Sequence, residues 1–142
     1  MKIFKYSSKA LRYQAKYHKP GSRDRMAGII ENADGYLIES NHDIEILRSG
    51  AYPWSLKQRI LSDMGHLSNE DGAETMIRTL GNRTKRIYLG HLSKENNIKE
   101  LAHMTMVNQL AQADMAVGHD FQVYDTSSLL KNSSDNAIEI SF

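Results

Sequence analysis

Two short apolar runs constrain this chain most, because residues that end regular structure bound each of them. Residues 35–40 read GYLIES after an Asp-Gly turn signal, and Ile87-Tyr88-Leu89 stands inside the segment KRIYLGHLS. Runs of this length are typical of buried strands. Elsewhere the apolar residues recur at i, i+3, i+4 and i+7, which is the period of a helix. The alternation of the two patterns predicts an α/β fold with strands between helices.

The helices are predicted from this periodicity and from residues that cap helix ends. A helix over residues 24–33 follows the Pro20-Gly21 break, and Asn41 would cap the next helical turns. Pro53 suits the first turn of a helix whose inner face is marked by an apolar residue at every fourth position. The inward residues of the first and third helices are Met26, Ile29, Ile30 and Ala33, and Leu56, Ile60 and Met64.

Two more helices and two edge strands complete the prediction. Ser68 or Asn69 would cap a helix, and the last helix spans about residues 97–113. The width of its apolar surface predicts burial on more than one side. The segments DFQVYD and AIEISF alternate apolar and polar residues, as half-exposed edge strands do. The inward residues of the two helices are Ala73, Met76, Ile77 and Leu80, and Ile98, Leu101, Ala102, Met106 and Leu110.

The charge distribution divides the chain near Pro20-Gly21. Residues 1–25 hold eight Lys or Arg and one acidic residue, a net charge of +7, whereas all 142 residues together carry +1. We therefore predict a basic leader over residues 1–22 and one compact domain over residues 23–142. The leader is either a solvated terminus or an arm that binds nucleic acid or another anionic surface.

Composition excludes several classes of protein. The chain has no cysteine, so disulfides and thiolate metal sites are excluded, and a cytoplasmic location is predicted. No apolar run approaches the roughly 20 residues that span a bilayer, and the first residues lack the apolar core of a secretory signal. We expect no contact with a membrane. A metal ion would have to be bound by His, Asp or Glu.

The tetrapeptide Gly-His-Leu-Ser occurs twice and places His66 and His91 in related local sequences. His91 directly follows a buried strand, as a rigidly held metal ligand or acid/base catalyst would. His66 precedes a helix N-terminus, where an anion such as phosphate is favoured. If Glu39, which ends the earlier strand, meets His66, the carboxylate would orient the ring and favour its proton-donating form.

The residues alone leave other interpretations of the two copies open. They do not form an internal repeat, because the first follows a helix and the second a strand. Shared turn chemistry would explain the likeness equally well, and neither His-x-His nor His-Glu-x-x-His occurs in the chain. The residues by themselves support a phosphate-handling site and no finer assignment.

Longer motifs resemble a known family. ESNHDIEILRSGAYPWSLKQRILSDMGHLSNEDGAETMI, followed by TKRIYLGHLSKENN and VYDTS, is similar to the carboxyl-terminal half of WalJ (YycJ) type metallo-β-lactamase-fold hydrolases. The resemblance covers about residues 24–127 and omits the basic leader. It implies an αββα sandwich, a site for two divalent metal ions such as zinc or manganese, and 5′-to-3′ exonuclease activity on DNA.

The resemblance also implies roles for individual residues. His91 matches the last metal ligand of the fold. Glu39 and His66 match a glutamate and a histidine that stand beside the scissile phosphate in relatives that process transfer RNA. In this picture a metal-activated water attacks phosphorus, and His66 stabilises the phosphate or protonates the leaving oxygen. The residues expected to bind substrate are Ser68, Asn69, His42, Lys94 and Asn97.

The chain departs from the family in its metal ligands. The motif His-x-His-x-Asp-His, the later single histidine and the bridging aspartate are absent, and KYHKPGSRDRM stands where the aspartate segment is expected. One imidazole does not hold a catalytic dinuclear site. We therefore expect a truncated family member, an incomplete sandwich that is inactive alone, self-associates or pairs with a separate amino-terminal half.

Two other functions remain open at this stage. A non-catalytic module would bind nucleic acid through the basic leader, with an affinity that falls steeply with salt. A degenerate remnant without function would be poorly soluble.

Overall fold

The computed structural model describes residues 3–5, 33–62, 65–115 and 122–125. Its four strands form one parallel sheet in the order of the chain, and the described helices lie between the second strand and the fourth. The strands are β1 Ile3–Lys5, β2 Gly35–Glu39, β3 Arg86–Gly90 and β4 Gln122–Asp125. The helices are α1 Ile44–Ser49, α2 Trp54–Leu61, α3 Asn69–Thr79 and α4 Lys99–Gln112.

The hydrophobic core lies between one face of the sheet and helices α3 and α4. Alternate strand residues point to this face, and the side chains of Tyr36, Ile38, Ile87 and Leu89 are almost fully buried there. The intervening Leu37 and Tyr88 point to the other face and are half-buried. The helices contribute Ala73 and Met76 from α3, and Ala102, Met106 and Leu110 from α4.

Two close contacts fix α3 against β2. The Tyr36 hydroxyl donates to the carbonyl oxygen of Thr79 over 2.9 Å, at the end of the helix. At Gly72 an added Cβ would lie 2.8 Å from the carbonyl oxygen of Glu39, so only a residue without a side chain allows this approach. The contact at Gly72 holds the carboxyl end of β2 close to the first turn of α3, and the Tyr36 bond holds the start of β2 to the end of that helix.

The predicted α/β class and both buried strands are confirmed. β2 covers five residues of GYLIES, and β3 contains the predicted apolar triplet. A strand within DFQVYD is confirmed as β4, which pairs in parallel with β3 at an edge of the sheet. β1 lies inside the predicted leader and was not expected; it pairs in parallel with β2.

Of the two predicted caps of α3, Ser68 is the one observed, and it makes a complete capping box with Asp71. The prediction for the start of α1 was wrong. Asp43, not Asn41, caps this helix, because its carboxylate accepts from the Ile46 N–H over 2.8 Å.

The predicted inner face of α2 was wrong at Leu56, whereas Ile60 is half-buried. Leu56 is exposed, and the buried residue is Lys57, whose Nζ donates to the carbonyl oxygens of Arg48 and Gly50 at 2.6 Å each. A cation is favourable at this position because the last carbonyls of a helix carry negative charge. α2 therefore docks through a charged side chain against the end of α1.

α4 has a narrower buried face than its composition predicted. Ala102, Met106 and Leu110 are buried as expected, but Ile98 is exposed at the N-cap. Met104 and Val107 are exposed as well. The prediction that α4 is buried on more than one side was thus wrong within the part of the chain that the structure describes.

Several predicted elements fall outside the described residues. They are residues 24–32 of the first predicted helix, Met64 and the segment AIEISF. Among the residues that the structure describes, no helix is long and apolar enough to cross a membrane.

Candidate active site

The carboxyl ends of β2 and β3 lie side by side and bring Glu39 next to His91. Glu39 is the last residue of β2 and pairs in register with Gly90, the last residue of β3. His91 follows directly, as the sequence predicts for a residue placed by a strand end. Parallel strands end at the same edge of a sheet, which is where open α/β folds place ligand sites.

The loop before α3 carries His66 to the same edge. The backbone N–H of Asn41 donates to the carbonyl oxygen of Leu67 over 2.9 Å, and that of Asn69 donates to the carbonyl oxygen of His42 over 2.9 Å. His42 and Ser68 form an isolated parallel bridge between these bonds. The loop after β2 is thereby fixed alongside the residues that cap α3.

One carboxylate oxygen joins the two histidines. Oε1 of Glu39 lies 2.7 Å from Nδ1 of His66 and 2.6 Å from Nδ1 of His91. Oε2 accepts the backbone N–H of Leu67 over 3.2 Å. An ionised carboxylate only accepts, so each ring donates a proton from Nδ1. In the neutral form of either ring, Nε2 then carries the lone pair.

Glu39 is held in its charged form. Burial raises the pKa of its carboxyl, but hydrogen bonds from His91, the Leu67 N–H and His66, together with charge attraction to His66, outweigh burial and leave the pKa below the ordinary value of 4.5. The side chain is 6% exposed. A fixed negative charge therefore lies behind both imidazoles.

The two rings differ in exposure and in backbone conformation. The side chain of His66 is 42% exposed and that of His91 is 65% exposed. Their ring centroids lie 4.8 Å apart at an interplanar angle of 68°. His91 has a φ of 58°, in the left-handed region that disfavours residues with a Cβ. Such conformations concentrate at functional sites.

Comparison with curated proteins identifies relatives that share this segment. Over 104 residues the chain is 88% identical to the exodeoxyribonuclease WalJ of Streptococcus pneumoniae, in serotype 2 strain D39 and in strain R6. This match covers 73% of the chain and 39% of the relative. Over 103 residues the chain is 52% identical to the exodeoxyribonuclease YycJ of Bacillus anthracis, which covers 72% of the chain and 39% of that relative.

This chain belongs to the WalJ/YycJ family. The resemblance inferred from ESNHD, DMGHLSNED and LGHLSKEN is thus confirmed. The chain spans about two fifths of the length of these relatives, since each match covers 39% of the relative. No family model matches the chain, and no solved structure matches it significantly.

The residues predicted to bind substrate lie in two different environments. Lys94 is exposed, in the turn that follows His91. The other four are buried beneath the loops that carry His66 and His91, with 1% exposure for Ser68, Asn69 and His42 and 9% for Asn97. Contact of these residues with substrate stays a prediction.

The buried candidates belong to a hydrogen-bond network. The Asn69 and Asn97 side chains exchange two hydrogen bonds of 2.9 Å, and Nδ2 of Asn97 also donates to the carbonyl oxygen of Ser40 over 2.8 Å. The Ser40 hydroxyl donates to Oδ1 of Asn69 over 2.6 Å. Satisfied buried networks make loops rigid. This one joins the loop after β2, the start of α3 and the segment before α4.

Glu39, His66 and His91 are also a group that could hold a metal ion, with one ligand atom from each residue and all of them within 4.8 Å of one another. The short contacts to Oε1 are hydrogen bonds, and a histidine that binds metal usually donates its other ring N–H to a carboxylate. The chemistry of these donors therefore fits ligation through Nε2 of His91, with Glu39 behind it. Two imidazoles do not complete the ligand sphere of a catalytic metal.

Sequence reasoning missed the contribution of Asn41. Its side-chain amide donates to the carbonyl oxygen of His91 over 2.8 Å. Asn41 stands two residues after a buried strand, where the loops of a parallel sheet meet. That position is the signal that the helix-cap interpretation overlooked.

Proposed function

We propose that this chain forms one side of the active site of a metal-dependent DNA exonuclease. The observation that carries the proposal is the shared oxygen of Glu39, which accepts from Nδ1 of both His66 and His91. The arrangement presents two oriented imidazoles at a sheet edge, above a buried negative charge. The names of the pneumococcal and Bacillus relatives, both exodeoxyribonucleases, support DNA as the substrate.

His91 is the proposed metal ligand, through Nε2. Its more exposed ring and its Nδ1–H bond to Glu39 match the way in which carboxylates orient metal-binding histidines. A bound zinc or manganese ion would supply an activated water and neutralise charge on the phosphate. Glu39 is a positioning residue in this arrangement, since its oxygens are occupied by three N–H donors.

His66 is the proposed proton donor. Its Nδ1 stands 2.7 Å from the Glu39 carboxylate, which orients the ring, and it lies at the entrance of α3. As an imidazolium, His66 would either stabilise a phosphate oxygen or protonate the oxygen that leaves phosphorus. Lys94, exposed in the turn after His91, is the proposed contact to the DNA backbone.

The remaining metal ligands would come from the part of the relatives that this chain does not match. A metallo-β-lactamase-like sandwich would place them opposite His91, with a second sheet against the strand face that carries Leu37 and Tyr88. Both side chains are only half-buried. A separately made amino-terminal half, or association of two chains, would then complete the site.

Nuclease assays with the chain alone and with a complementing half test this proposal. The purified chain is incubated with double-stranded DNA and manganese or zinc, with and without the part of pneumococcal WalJ that it does not match. We expect cleavage in the mixture, its loss with His91→Ala, and no loss with the control His103→Ala, which changes an exposed histidine of α4. Cleavage by the chain alone that His91→Ala abolishes would refute the need for a second half. A mixture that never cleaves would refute the nuclease assignment.

The alternative of a leader that binds nucleic acid rests on residues 1–22, of which the structure describes residues 3–5. No observation favours it. Deletion of residues 1–22 is its direct test, because it predicts loss of a salt-sensitive DNA affinity.

A further inference from the structure

The left-handed backbone at His91 needs an explanation. Among the described residues other than glycine, Asp114 and His91 have a positive φ. Asp114 follows the last turn of α4, where a left-handed residue commonly ends a helix. His91 follows a strand instead, where no such rule applies and where extended backbone would continue β3. Other contacts must therefore hold its peptide in place.

Asn41 makes the contact that opposes a return to extended backbone. Its Nδ2 donates to the carbonyl oxygen of His91 over 2.8 Å, and Asn41 is buried, with 8% of its surface exposed. This bond fixes the orientation of the His91 peptide from the main-chain side. The 2.6 Å bond from Nδ1 to Glu39 fixes the ring from the other side.

The backbone of Asn41 joins the two histidine loops. Its N–H donates to the carbonyl oxygen of Leu67 over 2.9 Å, and its carbonyl oxygen accepts from the Ser93 N–H over 2.7 Å. Leu67 is the residue after His66, and Ser93 is two residues after His91. One residue thus sets the separation of the two loops with three hydrogen bonds.

We propose that Asn41 is a positioning residue that holds His91 in its left-handed conformation and thereby sets the approach of the two imidazoles. The inference deepens the proposed function, and rests on it for the use of the two rings. Asn41 touches neither substrate nor metal in this scheme. It acts through the His91 peptide and through the spacing of the two loops.

Solution NMR of the full chain tests the proposal by a signature that a merely stabilising residue would not alter. A positive φ shortens the distance between the amide proton and Hα of the same residue. Wild type should therefore show a strong intraresidue NOE at His91 and an NOE between the His66 and His91 rings. In Asn41→Ala we expect both to weaken at least about threefold in the folded protein. The control Thr84→Ala, which removes a buried hydroxyl that donates to the Ala33 carbonyl oxygen over 2.7 Å before the start of β3, should lower stability and leave both signals unchanged.

A double-mutant cycle gives a second, energetic test. Glycine adopts a positive φ without steric cost, so the His91→Gly variant stores no backbone strain at this position. Loss of the Asn41 bond releases strain only in wild type, so we expect Asn41→Ala to lower the folded-to-unfolded ratio about tenfold less in wild type than in the His91→Gly background. Urea unfolding of the four proteins measures this coupling.

Unchanged NOEs in Asn41→Ala, or strictly additive unfolding free energies, would overturn the proposal. If Asn41→Ala does not fold, Asn41→Asp replaces it in both experiments. This variant keeps the shape and presents an oxygen to the His91 carbonyl, so the same losses are expected. Neither test measures cleavage, and a failed nuclease assay with intact signatures would refute the proposed function alone.

Discussion

Replacing Glu39 by glutamine should destabilise the protein, because it replaces a hydrogen-bond acceptor with a donor and changes the shape of the side chain very little. The carboxylate accepts three N–H donors, two at Oε1 and one at Oε2. A carboxamide has one oxygen and one NH₂ group, so the NH₂ must face either the Leu67 N–H or the two imidazoles. With both rings in the Nδ1–H form, at least one donor then meets another donor inside the protein. The rings escape this clash only by moving their protons to Nε2, the nitrogen that is proposed to bind metal in His91.

The magnitude follows from these contacts. A buried donor left without an acceptor costs about 1–3 kcal/mol, and bonds that lose their charge assistance weaken by roughly half. The imidazoles are partly exposed, so water recovers some of the loss on their side. We expect Glu39→Gln to lower the free energy of unfolding by about 2–3 kcal/mol at pH 7, a large part of the stability of a small domain.

The pH dependence separates this cause from a packing defect. The pKa of Glu39 is lowered in the folded state. Its contribution to stability is therefore complete above the ordinary value of 4.5 and is lost as the pH falls through the folded-state pKa. The difference in unfolding free energy between wild type and Glu39→Gln should accordingly be constant above the ordinary pKa of 4.5 and shrink at lower pH.

Urea unfolding followed by circular dichroism between pH 7 and pH 3 measures the difference. The control Glu95→Gln removes an exposed carboxylate and should change the free energy of unfolding by less than about 0.5 kcal/mol. A difference between wild type and Glu39→Gln that persists unchanged to the lowest pH would refute the reasoning, because the charge of Glu39 would then contribute nothing.

Three further substitutions test the surroundings of the site, all by urea unfolding. Gly72→Ala should destabilise by about 1–2 kcal/mol, because the added Cβ meets the Glu39 carbonyl at 2.8 Å and this crowding exceeds the gain in helix propensity; a more stable variant would contradict the close approach. Ser68→Ala removes the cap of α3 and should cost about 1 kcal/mol, whereas Ser68→Asp should retain most of the stability. Lys57→Met should cost about 1–3 kcal/mol, because it leaves two carbonyl oxygens at the end of α1 without their donor; an equal effect of the exposed control Arg59→Met would contradict this.

The candidate site could be predicted in part from sequence. Glu39 and His91 each stand at the end of an apolar run, and parallel strands end at one edge, so their proximity follows from local pattern. The pairing of Glu39 with His66 was expected from charge and placement. That both imidazoles donate to the same oxygen could not be predicted, because it depends on how far the loop before α3 reaches over β2.

The wrong predictions about the faces of α2 and α4 share one physical cause. A helical stripe shows which face of a segment is apolar, but not whether another element covers that face. Leu56 and Ile98 satisfy the period and are exposed, whereas Lys57 is buried because the end of α1 offers it two carbonyl oxygens. Asn41 and Asp43 are both residue types that cap helices well. Asp43 caps α1, whereas the Asn41 side chain is hydrogen-bonded to the His91 carbonyl oxygen instead.

By itself the sequence determined the α/β class, the two central strands, the capped helix α3 and the family. These features depend on contacts within a few residues or on long motifs, and both can be recognised directly in the amino-acid sequence. Only the tertiary structure decided that Asn41, Glu39 and the two histidines form one hydrogen-bonded unit and that His91 adopts a left-handed backbone. The hydrogen bonds within this unit join residues up to 52 positions apart, between His91 and Glu39, and local preference alone would have kept His91 extended.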